Sequence, residues 1–198
     1  MMSILKCMLL FLFSLFLTAC GPVVVPLVSY YQIGNLRSIK VPPAKTYLTI
    51  LVSRPMASPG YQTSAMIYML TPYQLSSYAN NQWVVPPSQM LLPLFVQALR
   101  RTGHFFAVVS PPFIGVTNYR FETHLLKLQQ EFFSSISQVR LTVQASLIKN
   151  STNRIIASQL FEVLISAPNN NPYGGVLAAN QAAAIISHRI ALFCVAHT

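Results

Sequence analysis

Glu122, Glu131 and Glu162 are the only acidic residues among 198, and no aspartate accompanies them. Acid–base chemistry by paired carboxylates needs two acids in one pocket, and these three fall on separate strands or strand ends. The four histidines, His104, His124, His188 and His197, form no HExxH and no pair at metal-ligand spacing. A Ser–His–acid triad can use a glutamate, but the GxSxG elbow that presents such a serine is missing. There is no P-loop and no GxGxxG, so any ATPase that works with this chain is another chain. His124, alone in mid-strand, reads as a packed or surface residue. Pro172-Tyr173-Gly174-Gly175 reads as a turn or helix entry. These residue types predict a protein that is not an enzyme and that holds no metal and no cofactor.

Cysteine is more informative. "LFLTACGP", Leu15 to Pro22, ends an apolar run in small residues and Cys20. Lys6 is the single charge before Met8–Leu17, a run too short to span about 30 Å of hydrocarbon as a helix. This is the layout of a secretory signal, and Leu17-Thr18-Ala19-Cys20 resembles the lipobox of bacterial lipoproteins. The resemblance implies that Cys20 becomes the mature N-terminus and carries a diacylglyceryl thioether plus a third acyl chain. Several chains anchor stably, because each buried CH₂ contributes about 0.8 kcal/mol. Gly21 stands where an aspartate is the usual inner-membrane retention signal, so sorting to the outer membrane, on its periplasmic face, is expected. Cys7 leaves with the signal. Cys194 then stands alone in an apolar segment, without a disulfide, and reads as a small buried hydrophobe.

Removing residues 1–19 leaves 179 of 198, a single domain by length and large enough for a substantial core. Residues 20–44 carry Pro22, Pro26, Pro42 and Pro43 and read as a lipidated N-terminus and extended tether, with "SYYQIG" pairing as a minor strand. Residues 45–198 are the domain proper. The formal net charge is +10; without Lys6, twelve bases against three acids leave +9. The bases are scattered singly apart from Arg100-Arg101, which argues for solvated surface charge and against nucleic acid as a partner. A weak attraction to anionic headgroups is the minor alternative.

Alternating β-rich runs place a strand in "KTYLTILVSR", a loop over Pro55–Gly60, and a hairpin from "TSAMIYMLTP" and "YQLSSYANNQWVV" around Thr71-Pro72. Met90, Leu91, Leu94, Phe95, Ala98 and Leu99 recur at helical spacing, with Gly103 at the C-terminal cap. Pro93 requires either a distorted first turn from Ser88 or a regular start near Leu92. After a short strand in "HFFAVVS", three long segments form an antiparallel meander. In the first, Tyr119, Phe121 and Thr123 share one face and the apolar positions then switch parity to Leu126, Leu128 and Phe132, as a β-bulge produces. In the second, Val139, Leu141, Val143, Ala145 and Leu147 face one way, while Gln138, Arg140, Thr142, Gln144 and Ser146 face the other. "VLAANQAAAIISHRIALFCVA" is a helix with a core stripe of Ala179, Ala183, Ile186, Ile190 and Phe193, leaving Asn180, Gln181, Ser187 and His188 mostly off it. The order predicts an α+β (mixed α/β) single domain: a largely antiparallel mixed sheet covered by two main helices.

Met66 to Leu91, "MIYMLTPYQLSSYANNQWVVPPSQML", carries a family resemblance. Tyr68, Tyr78, Asn80, Trp83 and Pro86 occupy the places of the tyrosine strand, the YANN-x-W segment and the prolines before a helix. With "YRFETHLLKLQQEF", "RIIASQLFE" and "AANQA" following in order, the chain resembles the ABC-type transport auxiliary lipoprotein family from about Tyr30 to Val195. The resemblance implies a fold like the N-terminal domain of the Tol-system propeller protein. It also implies a docking and binding component beside an inner-membrane ABC lipid transporter, whose mammalian-cell-entry-domain protein is the partner. The poverty in acids departs from any partner surface built on carboxylates. Trp83, between Asn80-Asn81 (read as a turn) and Pro86-Pro87, either locks the turn onto the helix, the preferred reading, or anchors a partner. Tyr68, Tyr73 and Tyr78 supply the same candidate contact surface, and exposed strand edges suit a homo-oligomer. The alternative is a periplasm-facing lipid carrier; an unfilled Leu- and Phe-lined cavity would favour it, a solid core would favour docking.

Overall fold

A computed structural model describes residues 26–34 and 43–198. The expected signal segment 1–19, Cys20 with its lipid, Gly21 and most of the expected tether lie outside the described residues. The strands are β1 (Ser29–Tyr31), β2 (Thr49–Val52), β3 (Met56–Ala57), β4 (Ala65–Met69), β5 (Ser76–Trp83), β6 (Ala107–Val109), β7 (Tyr119–Glu131), β8 (Gln138–Lys149) and β9 (Arg154–Ser166). Helix α1 (Pro87–Arg101) follows β5, and α2 (Pro172–Ala196) follows β9. All nine strands of the described residues share one open sheet, and β7 is its organiser.

On one flank of β7, the antiparallel β8 and then β9 run its whole length, with Tyr119 opposite Lys149 and Glu131 opposite Gln138. On the other flank lie three short pieces, all parallel to β7: β2 with β6 beside it, β3, and β4 with β5 and β1 beside it. The sheet is therefore mixed and, by length of ladder, largely antiparallel as expected, with short parallel contacts confined to this flank and its outer strands. Strands separated by helix α1 pair in parallel because a crossover returns the chain to the same end. The two-residue β3, inside the stretch expected to be a loop, is too short to show a period.

The meander follows its sequence pattern. Alternate residues of β8 are buried, Val139 to Leu147 under the helices, with Gln138 to Ser146 on the opposite face. Register in β7 shifts between Leu125 and Lys127. The bulge lies at Leu126, later than expected, so Leu125 and not Leu126 joins Phe121 and Leu128 in the core.

Both helices cover one face of the sheet. α1 starts at Pro87, the early alternative, with a tight first turn in which Gln89 N–H donates to the Pro86 carbonyl at 2.9 Å. Gly103 adopts φ +60° just beyond its end, the left-handed cap conformation. α2 starts four residues before the expected Val176: the Asn171 side chain caps it by accepting from Gly174 N–H at 2.7 Å. The expected stripe is buried, and so is Ser187, because α2 packs against both the sheet and α1. By length and composition α2 passes for a membrane span, but its packing is that of a core helix.

Two ends of the sheet can be distinguished. The loops 70–75, 132–137 and 167–171 lie together at the hairpin end, tied by Phe132 N–H to the Met69 carbonyl (2.9 Å) and Ser137 N–H to Asn170 Oδ1 (2.7 Å). The loops 102–106 and 110–118 and the turn 150–153 lie at the far end, where Asn150 N–H donates to the Asn118 carbonyl at 3.0 Å.

Candidate functional site

The β4–β5 hairpin carries the predicted contact residues, and the structure separates them. The Tyr68 and Tyr78 rings stack with centroids 4.5 Å apart, and Phe132 meets Tyr68 edge-on at 6.2 Å. The Tyr78 hydroxyl donates to Gln130 Oε1 at 3.0 Å. Burial, with Tyr68 alongside, pushes the Tyr78 phenol up to about 12, so it stays protonated and able to donate at ordinary pH. Tyr73 stands apart at the hairpin tip, fully exposed, at φ +70°.

Trp83 is only 4% exposed, among Met66, Leu128, Val139 and Ala179. Its ring closes the hairpin onto β7, β8 and α2, so it does not share the contact surface. The Asn80-Asn81 pair is not a turn. Both residues belong to β5, where Asn81 pairs with Ser29 and accepts from the Tyr31 hydroxyl at 3.2 Å. Paired with β1, an asparagine run stays extended.

Gln130 is the joint that the sequence does not reveal. Its amide nitrogen donates to Ser137 Oγ at 2.8 Å and toward the Asn171 carbonyl at 3.3 Å, while its oxygen accepts from Tyr78. A Cβ at Gly175 would stand 2.3 Å from that oxygen, so a side chain there must displace the Gln130 amide from its hydrogen bonds. One buried amide thus links hairpin, meander and helix.

The open face of the sheet gathers the ionic groups. Arg140 on β8 holds Glu131 through Nε (2.7 Å) and Nη2 (3.0 Å) and Glu162 through Nη1 (2.7 Å). Burial opposes ionisation of Glu131. Hydrogen bonds from Arg140 and Gln129, with the charges of Arg140 and Lys127, outweigh that and hold its carboxyl below the usual carboxylate range. Glu122 pairs with Arg120 at 2.7 Å. Tyr61 lies over this face with its hydroxyl on Gln129, and its phenol is raised by burial and then by the Glu131 charge.

All three carboxylates are therefore engaged by arginine. His124 meets Ser58 Oγ at 3.2 Å, His104 meets Thr198 Oγ1 at 3.0 Å, and His197 meets the Phe193 carbonyl at 2.8 Å. Among the described residues no three His, Cys, Asp or Glu side chains come together as a metal site. Cys194 is buried in α2, and burial pushes its thiol up to about 12, which leaves it unreactive.

Among the described residues, the space between sheet and helices beside Trp83 is closely packed. The pocket beside Trp83 and Gln130 measures about 20 Å³, room for one water. A groove of about 620 Å³ between α1 and α2 lies on the outside and is lined in part by Gln97, Arg101, Asn180 and His188.

Residues 31–191 match the family described as "ABC-type transport auxiliary lipoprotein component". The chain belongs to this family. As a member of the transport auxiliary lipoproteins, it shares its fold with protein XCC0632 from Xanthomonas campestris, at 19% identity and a TM-score of 0.75, over 86% of this chain and 96% of that one. It is also similar to the hypothetical protein CT253 from Chlamydia trachomatis, at 7% identity and a TM-score of 0.54, over 77% of this chain and 98% of that one. No curated protein matches it. At these identities the solved structures speak to the fold alone, and in this auxiliary lipoprotein they agree with two helices laid on one face of a mixed sheet.

Proposed function

We propose that this chain is an outer-membrane-anchored accessory lipoprotein of an ABC, mammalian-cell-entry-type intermembrane lipid transport system. It acts as a docking and binding component, and not as an enzyme. Membership of the transport auxiliary family and the lipobox at Cys20 support this reading. The observation that favours docking over the lipid-carrier alternative is the close packing beside Trp83 among the described residues. About 20 Å³ beside Trp83 holds no acyl chain, whereas ligand pockets run to several hundred Å³ and enclose most of the ligand. Three carboxylates, each on an arginine, support the non-enzymatic part.

The free edge of β9, thirteen residues long and paired among the described residues only with β8, supports assembly with a second copy. Light scattering at high concentration is expected to show more than a monomer, and a monomer alone refutes that element.

The whole reading is tested by light cross-linking of intact envelopes, purification of the chain, and identification of its neighbours by mass. A mammalian-cell-entry-domain protein among them is the expected result. Recovery of soluble periplasmic neighbours carrying lipid would favour the carrier instead. Cys20→Ala is expected to release the protein into the soluble fraction and to abolish palmitate labelling; unchanged fractionation with retained labelling removes the anchor.

A further inference from the structure

The hairpin end of the sheet combines apolar exposure with a complete lack of charge. None of its three loops, 70–75, 132–137 and 167–171, contains a charged residue, in a chain of net charge +10. Leu70 is 61% exposed, Tyr73 100% and Ile136 56%, with Leu75 and Phe133 about half exposed beside them. Glu131 at the base of these loops is buried and ion-paired to Arg140. Tyr73 holds φ +70°, a strained position for a bulky residue and one where glycine would sit freely. A large ring is kept in water at a conformational cost.

The direction of the chain adds a second observation. β1 runs parallel to β5, with Ser29 opposite Asn81 and Tyr31 opposite Trp83, so the residues before Ser29 lead back along β5 toward the hairpin end. Pro26 is six positions after Cys20, a reach of at most about 20 Å. A lipid on Cys20 holds this end of the domain close to the leaflet.

We infer that the hairpin end is a membrane-contact face, with Leu70, Tyr73, Leu75, Phe133 and Ile136 resting in the interfacial region of a phospholipid leaflet. The orientation rests on reading Cys20 as the anchor. The chemistry of the face fits that partner independently: aliphatic tips enter the acyl boundary, and a tyrosine presents an apolar ring and a wet hydroxyl at headgroup level. Lacking cations, the contact is indifferent to headgroup charge. The far end contrasts with this, since its exposed Phe113, Ile114 and Val116 stand on the same end as Lys149 and Arg154.

The test uses the full lipoprotein bound to vesicles of zwitterionic phosphatidylcholine. An environment-sensitive fluorophore is placed at Tyr73→Cys, Ile136→Cys or, as a control, Ile114→Cys. Each introduced thiol is exposed, while Cys194 is buried. The expected result is a blue shift and loss of most quenching by aqueous iodide at positions 73 and 136, with position 114 unchanged. Probes at 73 and 136 quenched as freely as the one at 114, in protein that floats with the vesicles, overturn the inference. Shielding that appears without vesicles in Cys20→Ala and grows with protein concentration also overturns it, by assigning the face to a second copy. Flotation is scored separately: if Cys20→Ala still floats, the anchor reading fails, while the probes still decide the contact face.

Discussion

The two flanks of β7 are built on different principles. Toward β8 and β9 the ladder is antiparallel and unbroken except at two bulges, from Tyr119–Lys149 to Glu131–Gln138 and on to Ser166. Toward β2, β3 and β4 it consists of parallel contacts two or three residues long. The long flank is held by its own local hairpins and by α2. The patchwork flank has too little ladder of its own and depends on packing: Trp83 under the hairpin, the α1 residues Phe95 and Leu99 against the core, and the Gln130 amide across to α2. Side chains can therefore do what hydrogen-bonded ladders do elsewhere.

The severest challenge to this contrast is Trp83→Ala. Removing a fully packed indole costs about 3–5 kcal/mol, which lowers melting by about 10 °C for a domain of this size. Because Trp83 touches both flanks, calorimetry is expected to show one cooperative transition. An early separate transition that leaves the meander folded would mean that the flanks are independent units.

A smaller effect is expected from Gly175→Ala. The new Cβ displaces the Gln130 amide and breaks its bond with the Tyr78 hydroxyl, at a cost of about 1–3 kcal/mol. Combined with Tyr78→Phe, the losses should be less than additive, since both remove the same link. Full additivity in urea unfolding would show that Gln130 does not couple the flanks.

The smallest effects concern charge on the open face. The folded Glu131 carboxyl lies below its unfolded value of about 4.3, so its contribution is complete above that pH and is lost as pH falls through the folded value. Glu131→Gln is therefore expected to flatten the loss of stability on acidification below about pH 4.3, measured by urea midpoints. Glu122→Gln, which removes a solvent-exposed partner of Arg120, should shift stability by less than about 0.5 kcal/mol at neutral pH. Equal effects of the two substitutions would mean that the Arg140 pair has no advantage from burial.

The meander was legible because alternation is a local property: Val139 to Leu147 announce their face without reference to any other segment. Gly103 as a cap and the bulge in β7 were legible for the same reason. Parallel pairing of β2 and β4 with β7 was not, since it joins residues far apart in sequence and leaves no period in either strand. Ser187 and Thr142 are buried against their hydropathy, the first between a helix and a sheet, the second beside the Glu162 carboxylate at 2.9 Å. At the candidate site, Tyr68 and Tyr78 are singled out in the sequence by the family resemblance and their nearness to Trp83, and the structure brings their rings together. Gln130 is not legible, because its partners come from β5, the loop after β7 and the cap of α2, and Leu70, Phe133 and Ile136 are not, because a single apolar residue in a loop is ordinary.

The parallel pieces also determine an order of events. β2, β3 and β4 have β7 as their ladder partner on the sheet side, and β7 lies after α1 in the chain. A chain delivered N-terminal end first presents these apolar strands before their template exists. During that interval β4 can pair with β5 and β2 with β6, but the edges they keep for β7 are open to capture by other chains. Once residues 119–131 arrive, β7 can fold locally with β8 and then receive all three pieces along its other side. Folding speed is then governed by how soon β7 appears and how long those edges stay open, and a holding chaperone that shields residues 49–69 should raise the yield more than one that binds the meander.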